Sequence, residues 1–78
     1  SKMSFEERIQ ACYQHACLLY ERNETMSNQS LRERLGMERR STAPASRIIN
    51  DTVQRGLIKP ANAENASKKL ASYIPFYG

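Results

Sequence analysis

The stretch SRIINDTVQRGLIKPAN, Ser46 to Asn62, decides the fold. With Ala45 just before it, Ile48, Ile49, Thr52 and Val53 recur at helical spacing, so one face of this segment is expected to be buried. At about 100° per residue the opposite face gathers Ser46, Arg47, Asn50 and Gln54, side chains able to exchange hydrogen bonds with a base edge or a phosphate. Gly56 stands where a left-handed residue would end the helix. Leu57, Ile58 and Lys59 follow as a β-prone run, and Pro60 closes it because proline cannot donate to a ladder.

On the N-terminal side of this stretch the chain reads as two further helices. Ser4 and Glu7 form a capping box that starts a helix at Phe5, and Phe5, Ile9, Cys12, Tyr13, Ala16, Leu19 and Tyr20 make its apolar stripe. Ala11 and Leu18 fall off that stripe as a second, smaller patch. The polar run Glu21 to Thr25 breaks the pattern, and Met26 offers one residue of strand. Ser27 then caps a short helix with Leu31 and Leu35 as its core pair and Gly36 as its terminator. Arg32, Glu33 and Arg34 are placed on its solvent side, as an ordinary solvated face or, alternatively, as contacts to backbone phosphate. Met37 plugs the turn that follows, and Arg39 and Arg40 precede Ser41 or Thr42, either of which can cap the third helix, with Pro44 tolerated in its first turn. Two arginines beside a helix N-terminus suit a phosphate, although an ordinary basic turn reads the same way.

Beyond Pro60 the run from Ala61 to Lys69 is small and polar and is expected to be a loop. Leu70 to Ile74 alternates as a returning strand that Pro75 stops. The hairpin so formed precedes Phe76, Tyr77 and Gly78. The tail YIPFYG is too apolar to trail in water, and Leu18 with Ala11 is its expected acceptor.

Composition bounds the function. The 78 residues suffice for one domain with a modest core, since a chain of this size buries only about 60–65% of the surface its unfolded form exposes. Twelve Lys and Arg against eight Asp and Glu give a net charge of +4, a balance that favours phosphate-rich partners. No apolar run reaches the roughly 18 residues of a membrane span and no secretory leader is evident, so a cytoplasmic protein with no membrane partner is expected. Cys12 and Cys17, five apart on one helix, point about 140° away from each other and cannot close a disulfide. His15 between them lacks the further ligands a zinc site needs, so neither metal nor cofactor is expected. No nucleophile or acid is spaced to work with that histidine, and no enzyme is expected.

From about Ala11 to Gly78 the chain resembles the C-terminal winged-helix domain of bacterial and archaeal RecG-like ATP-dependent DNA helicases or transcriptional regulators. NQSLRERLGM, ASRIINDTVQRGLIKPAN and the terminal YIPFYG carry the resemblance. Members usually hold an N-terminal Schlafen-type, AlbA-like domain, which implies that residues 1–78 are one winged-helix domain cut from a longer protein. The helicase activity does not transfer, because no glycine-rich phosphate loop with its lysine is present. The resemblance and the residues together lead to a mainly α fold with a small β-hairpin, a winged helix-turn-helix of three helices plus a wing. In that arrangement the helix from Pro44 to Arg55 lies in the major groove of double-stranded DNA and the Asn62–Lys69 loop reaches the adjacent backbone or minor groove. Arg47, Asn50 and Gln54 are the base-edge candidates, and Arg39, Arg40, Lys59, Lys68 and Lys69 the phosphate candidates, with Ser41, Thr42 and Ser46 completing the DNA-binding set. Asp51, one turn after Arg47, is placed to pair with it and to oppose DNA. The alternative is a protein-interaction or dimerisation module, with Leu18, Tyr73, Phe76 and Tyr77 as its contact surface and homodimerisation through a full-length protein open.

Overall fold

A computed structural model of the chain describes residues 3–61 and 71–78. Three helices, α1 (Phe5–Glu21), α2 (Asn28–Arg34) and α3 (Thr42–Gln54), precede two short strands, β1 (Ile58–Pro60) and β2 (Tyr73–Pro75). The capping box at the start of α1 is closed in both directions: the Glu7 amide donates to Ser4 Oγ at 3.1 Å and the Ser4 amide donates to Glu7 Oε1 at 2.9 Å. Ser27 caps α2 in the same reciprocal way, with Ser30 standing where a glutamate is commoner. All three helices end alike. Asn23, Gly36 and Gly56 take positive φ angles of 61°, 67° and 74°. After each, the next amide reaches back to close the last turn: Glu24 to the Leu19 carbonyl, Met37 to Arg32 and Leu57 to Thr52. The polar run after α1 is therefore a built terminator with asparagine in the glycine position, where its cost in left-handed backbone is smaller than for most residues.

The core joins Ile9, Cys12 and Ala16 of α1, Leu31 of α2 and Ala45, Ile48 and Ile49 of α3 to Met26, Ile58 and Pro75 from the strand segments. Thr52 is also fully buried, and its hydroxyl donates to the Ile48 carbonyl at 2.7 Å, so that among the described residues no buried side-chain polar atom lacks a partner. Tyr13, Leu19, Leu35, Met37 and Val53 pack around this set. Phe5 and Tyr20, expected at the two ends of the buried stripe, are exposed. A 17-residue helix runs about 25 Å, and the shorter helices and strands cover only its middle.

The hairpin is antiparallel, with Ile58 opposite Pro75, Lys59 opposite Ile74 and Pro60 opposite Tyr73. Met26 forms a bridge on the far side of Tyr73, its amide and carbonyl exchanging bonds of 2.9 and 2.7 Å with it, so β2 is the middle strand. All four strand ends differ from expectation: β1 begins at Ile58 rather than Leu57 and runs through Pro60, and β2 spans Tyr73–Pro75 rather than Leu70–Ile74, with Pro75 inside it. Pro60 lies inside β1 because it stands opposite Tyr73, whose own amide and carbonyl are turned to Met26, and a missing N–H there breaks no bond. β2 begins at Tyr73; of the expected Leu70–Ile74 strand, Leu70 lies outside the described residues, and before Tyr73 a single bond from the Ala61 amide to the Ser72 carbonyl, 2.8 Å, ties the hairpin.

The tail folds back, but not onto the expected acceptor. The Tyr77 ring meets Tyr20 edge to face, with centroids 5.9 Å apart at 82°, and Gly78 lies so close that a Cβ there would sit 2.8 Å from Tyr20 Cζ. Leu18 stays 53% exposed. Two residues from Tyr20 along a helix, it points about 160° away around the axis, toward solvent on the side of α1 that the tail does not reach.

Candidate nucleic-acid interface

α3 has one face in the core and one face free. Arg47, Asn50 and Gln54 are exposed along its outer side and Ser46 is half-buried at the edge, as their spacing against the buried Ala45, Ile48, Ile49 and Thr52 requires. Beside it an open groove runs between α2, α3 and the root of β2. Asn28, Arg32, Thr42, Ser46, Asn50 and Tyr73 are among the residues that line it. The wing strand and the third helix therefore border one groove, lined by polar side chains together with Ile49, Ala71 and Tyr73.

A side-chain network that spacing did not reveal fixes the angle of α3. The Asn28 amide nitrogen donates to the Thr42 carbonyl at 3.0 Å and to Ser46 Oγ at 2.9 Å, while Asn28 Oδ1 accepts from Arg32 Nε at 2.7 Å. Arg32 Nη1 also donates to the Arg39 carbonyl. Arg32 is consequently a brace between α2 and the turn, and the expectation that it lies on a solvated face is corrected; Glu33 and Arg34 do lie there. The only hint in the sequence was the four-residue spacing of Asn28 and Arg32, which is common on any helix.

The basic turn divides. Arg39 and Arg40 are both exposed, and Arg40 Nε donates to Glu38 Oε2 at 2.9 Å with both side chains well solvated, a pairing worth little in water. Ser41 stands at the N-cap, and its side chain makes no capping bond there. The cap expected from Ser41 or Thr42 is thus absent, because the backbone of Ser41, at φ −80° and ψ 44°, is outside the extended region that aims a hydroxyl at the first-turn amides. The helix starts at Thr42 rather than Pro44, which falls third in the helix where an amide would have no intrahelical carbonyl to reach.

On the other flank of α3 the first turn of α1 takes hold. Arg55 donates two bonds to Glu6, Nη1 to Oε2 at 2.5 Å and Nη2 to Oε1 at 2.6 Å. These bonds hold the Glu6 carboxyl below its usual range and raise Arg55 above its own. Arg47 Cζ sits 5.9 Å from the centroid of the Phe5 ring. Asp51 adds its charge to Arg55, and among the described residues no ion pair joins it to Arg47. The expected pairing of Asp51 with Arg47 is therefore not built; the acid's charge falls on Arg55, one turn after it.

At the wing, Lys59 is half-buried with Nζ 5.6 Å from the Phe76 ring centroid, a cation over an exposed aromatic face. Lys68, Lys69 and the Asn62–Lys69 loop lie outside the described residues. Comparison with known proteins finds no matching family model, curated relative or solved structure.

The histidine and the two cysteines lie away from the outer face of α3. His15 Nε2 is 3.2 Å from Ser30 Oγ, and burial, with the nearby Arg34 charge, holds its protonation below the usual imidazole range. Burial pushes the Cys12 thiol up to about 11, and Cys17 is a half-buried free thiol. Among the described residues no cluster of His, Cys, Asp and Glu could hold a metal ion, and no helix is long and apolar enough to cross a membrane.

Proposed function

We propose that this chain is a DNA-binding winged-helix domain of a cytoplasmic transcriptional regulator, with α3 entering the major groove and the wing on the backbone. The observation that carries the reading is the outer side of α3, polar and exposed at Arg47, Asn50 and Gln54 over two turns, beside a groove that continues to the wing root. Arg39 and Arg40 at one end of this surface supply cations for phosphates, and the net charge of +4 adds long-range attraction. The reading accords with the resemblance to RecG-like regulators and assigns no catalytic residue and no cofactor. The partner is double-stranded DNA.

A protein-interaction or dimerisation role is the second reading, favoured by Phe76 and Tyr77, which are 59% and 65% exposed. It is weakened by Leu18, which faces away from them across α1 and cannot join one patch. A salt titration separates the two. The domain is expected to bind random-sequence duplex weakly, with log affinity falling linearly in log salt by about 0.9 per phosphate contacted. Salt-independent binding, or none at low salt and high micromolar protein, would transfer the assignment to protein interaction, which sedimentation then measures.

A further inference from the structure

Phe5 is the first residue of α1 and lies beyond the core, exposed over more than a third of its surface. Its ring lies under the Arg47 guanidinium, with Cζ 5.9 Å from the ring centroid. Its neighbour Glu6 makes two charge-assisted bonds to Arg55, which joins the first turn of α1 to the end of α3 two turns beyond Arg47. The ring is thereby placed beside the exposed helix face. An arginine side chain otherwise has several rotatable bonds to order before it can make a planar two-bond contact with a base.

We propose, resting on the DNA-binding reading, that Phe5 is a specificity-positioning residue: its ring holds the Arg47 guanidinium on the α1 side of α3 and so selects which base edge that arginine reaches. Ser46 and Asn50, on the groove side, then read or position independently of it. The stack preorganises Arg47 without contributing a contact to DNA itself, so its loss changes discrimination more than general affinity.

The test uses a preferred duplex selected by the chain from a random pool, compared with random duplex. Phe5→Leu is expected to lower the preference for the selected duplex about two- to fivefold, with the salt slope on random duplex unchanged, while Phe5→Tyr retains the preference. On an Arg47→Ala background Phe5→Leu should change nothing further. A preserved preference in Phe5→Leu, or the same loss with Arg47 absent, overturns the inference. Without DNA, the Arg47 δ protons should show an upfield NMR shift from the ring that Phe5→Leu abolishes; its absence from the parent chain sinks this inference and leaves the DNA reading standing. Absence of duplex binding by the parent chain overturns both.

Discussion

Arg47 and Arg39 are both exposed arginines near α3, and the proposed DNA-binding reading gives them different work. Arg47 lies in the middle of the outer face, where a guanidinium can meet guanine with two parallel bonds. Arg39 lies in the turn before the helix, and on that reading it would meet backbone phosphate. Arg47→Ala is expected to cost about 1–3 kcal/mol on a selected duplex and to relax its sequence preference. Arg39→Ala should weaken all sequences alike and reduce the salt slope by about one. Binding isotherms at several salt concentrations decide the matter, and equal effects of both variants on selected and random duplex would refute the division. Arg32 shows why residue type alone is a poor guide here: an arginine equally available by sequence is committed to Asn28 and to the Arg39 carbonyl.

At the scale of elements, α3 is the piece that must be both packed and presented. Ile49 is nearly fully buried between α2 and the strands, and it also borders the groove, so it supports the exposed face from beneath. Truncating it to alanine is expected to destabilise the domain by about 2–5 kcal/mol, through lost burial and the cavity left behind. In a domain with marginal total stability that approaches complete unfolding, which a thermal melt reads directly. A shift of only a degree or two would mean that the helix is rotated and that the face assigned to DNA is not the outer one. The same helix ends through Gly56 at φ 74°, which lets Leu57 close the last turn on the Thr52 carbonyl and turns the chain into β1.

Across the whole molecule, a radius of gyration of 11.5 Å is about that of a compact chain of this length, and the ends of the chain contribute to it. The Tyr20–Tyr77 contact joins the tail to α1, an edge-to-face pair worth roughly 0.5–1.5 kcal/mol beyond its area. Deleting Tyr77 and Gly78 should therefore lower Tm by about 3–8 °C at every protein concentration. If Tm holds in dilute solution while self-association disappears, the tail is an interface instead. Acid should act on several sites in the same direction. His15, Glu6 and Glu7 all titrate lower in the folded protein, so each contributes stability above its ordinary value that is lost as pH falls through the folded one. Denaturant midpoints should fall first below the ordinary imidazole value of 6.5 and again below the carboxylate value of 4.5. His15→Gln should remove the first stage alone; its persistence in that variant would acquit the histidine. On the alkaline side Cys12 contributes, with Tyr13 and Tyr77 acting in the same direction: a thiol raised to about 11 favours the folded state below its ordinary 9.0 and loses that contribution as pH rises toward 11.

Local physics alone determined much of this protein. The Ser4–Glu7 box, the Ser27 cap, the glycines after α2 and α3 and the buried side of α3 were legible because each depends on residues within a turn or two of one another. Asn23 as a helix terminator was equally local and was missed because asparagine signals a left-handed residue less strongly than glycine. Tertiary structure decided the rest. Which arginines are engaged was settled by partners outside their own helix, Glu6 for Arg55 across 49 residues and the Arg39 carbonyl for Arg32 across seven. Where the tail docks was settled by which side of α1 the hairpin emerges on, and how much of the apolar stripe is buried by how far the shorter elements extend along α1. Periodicity names the face of a helix that wants cover; only the packing of the other elements determines how much cover arrives and from which direction.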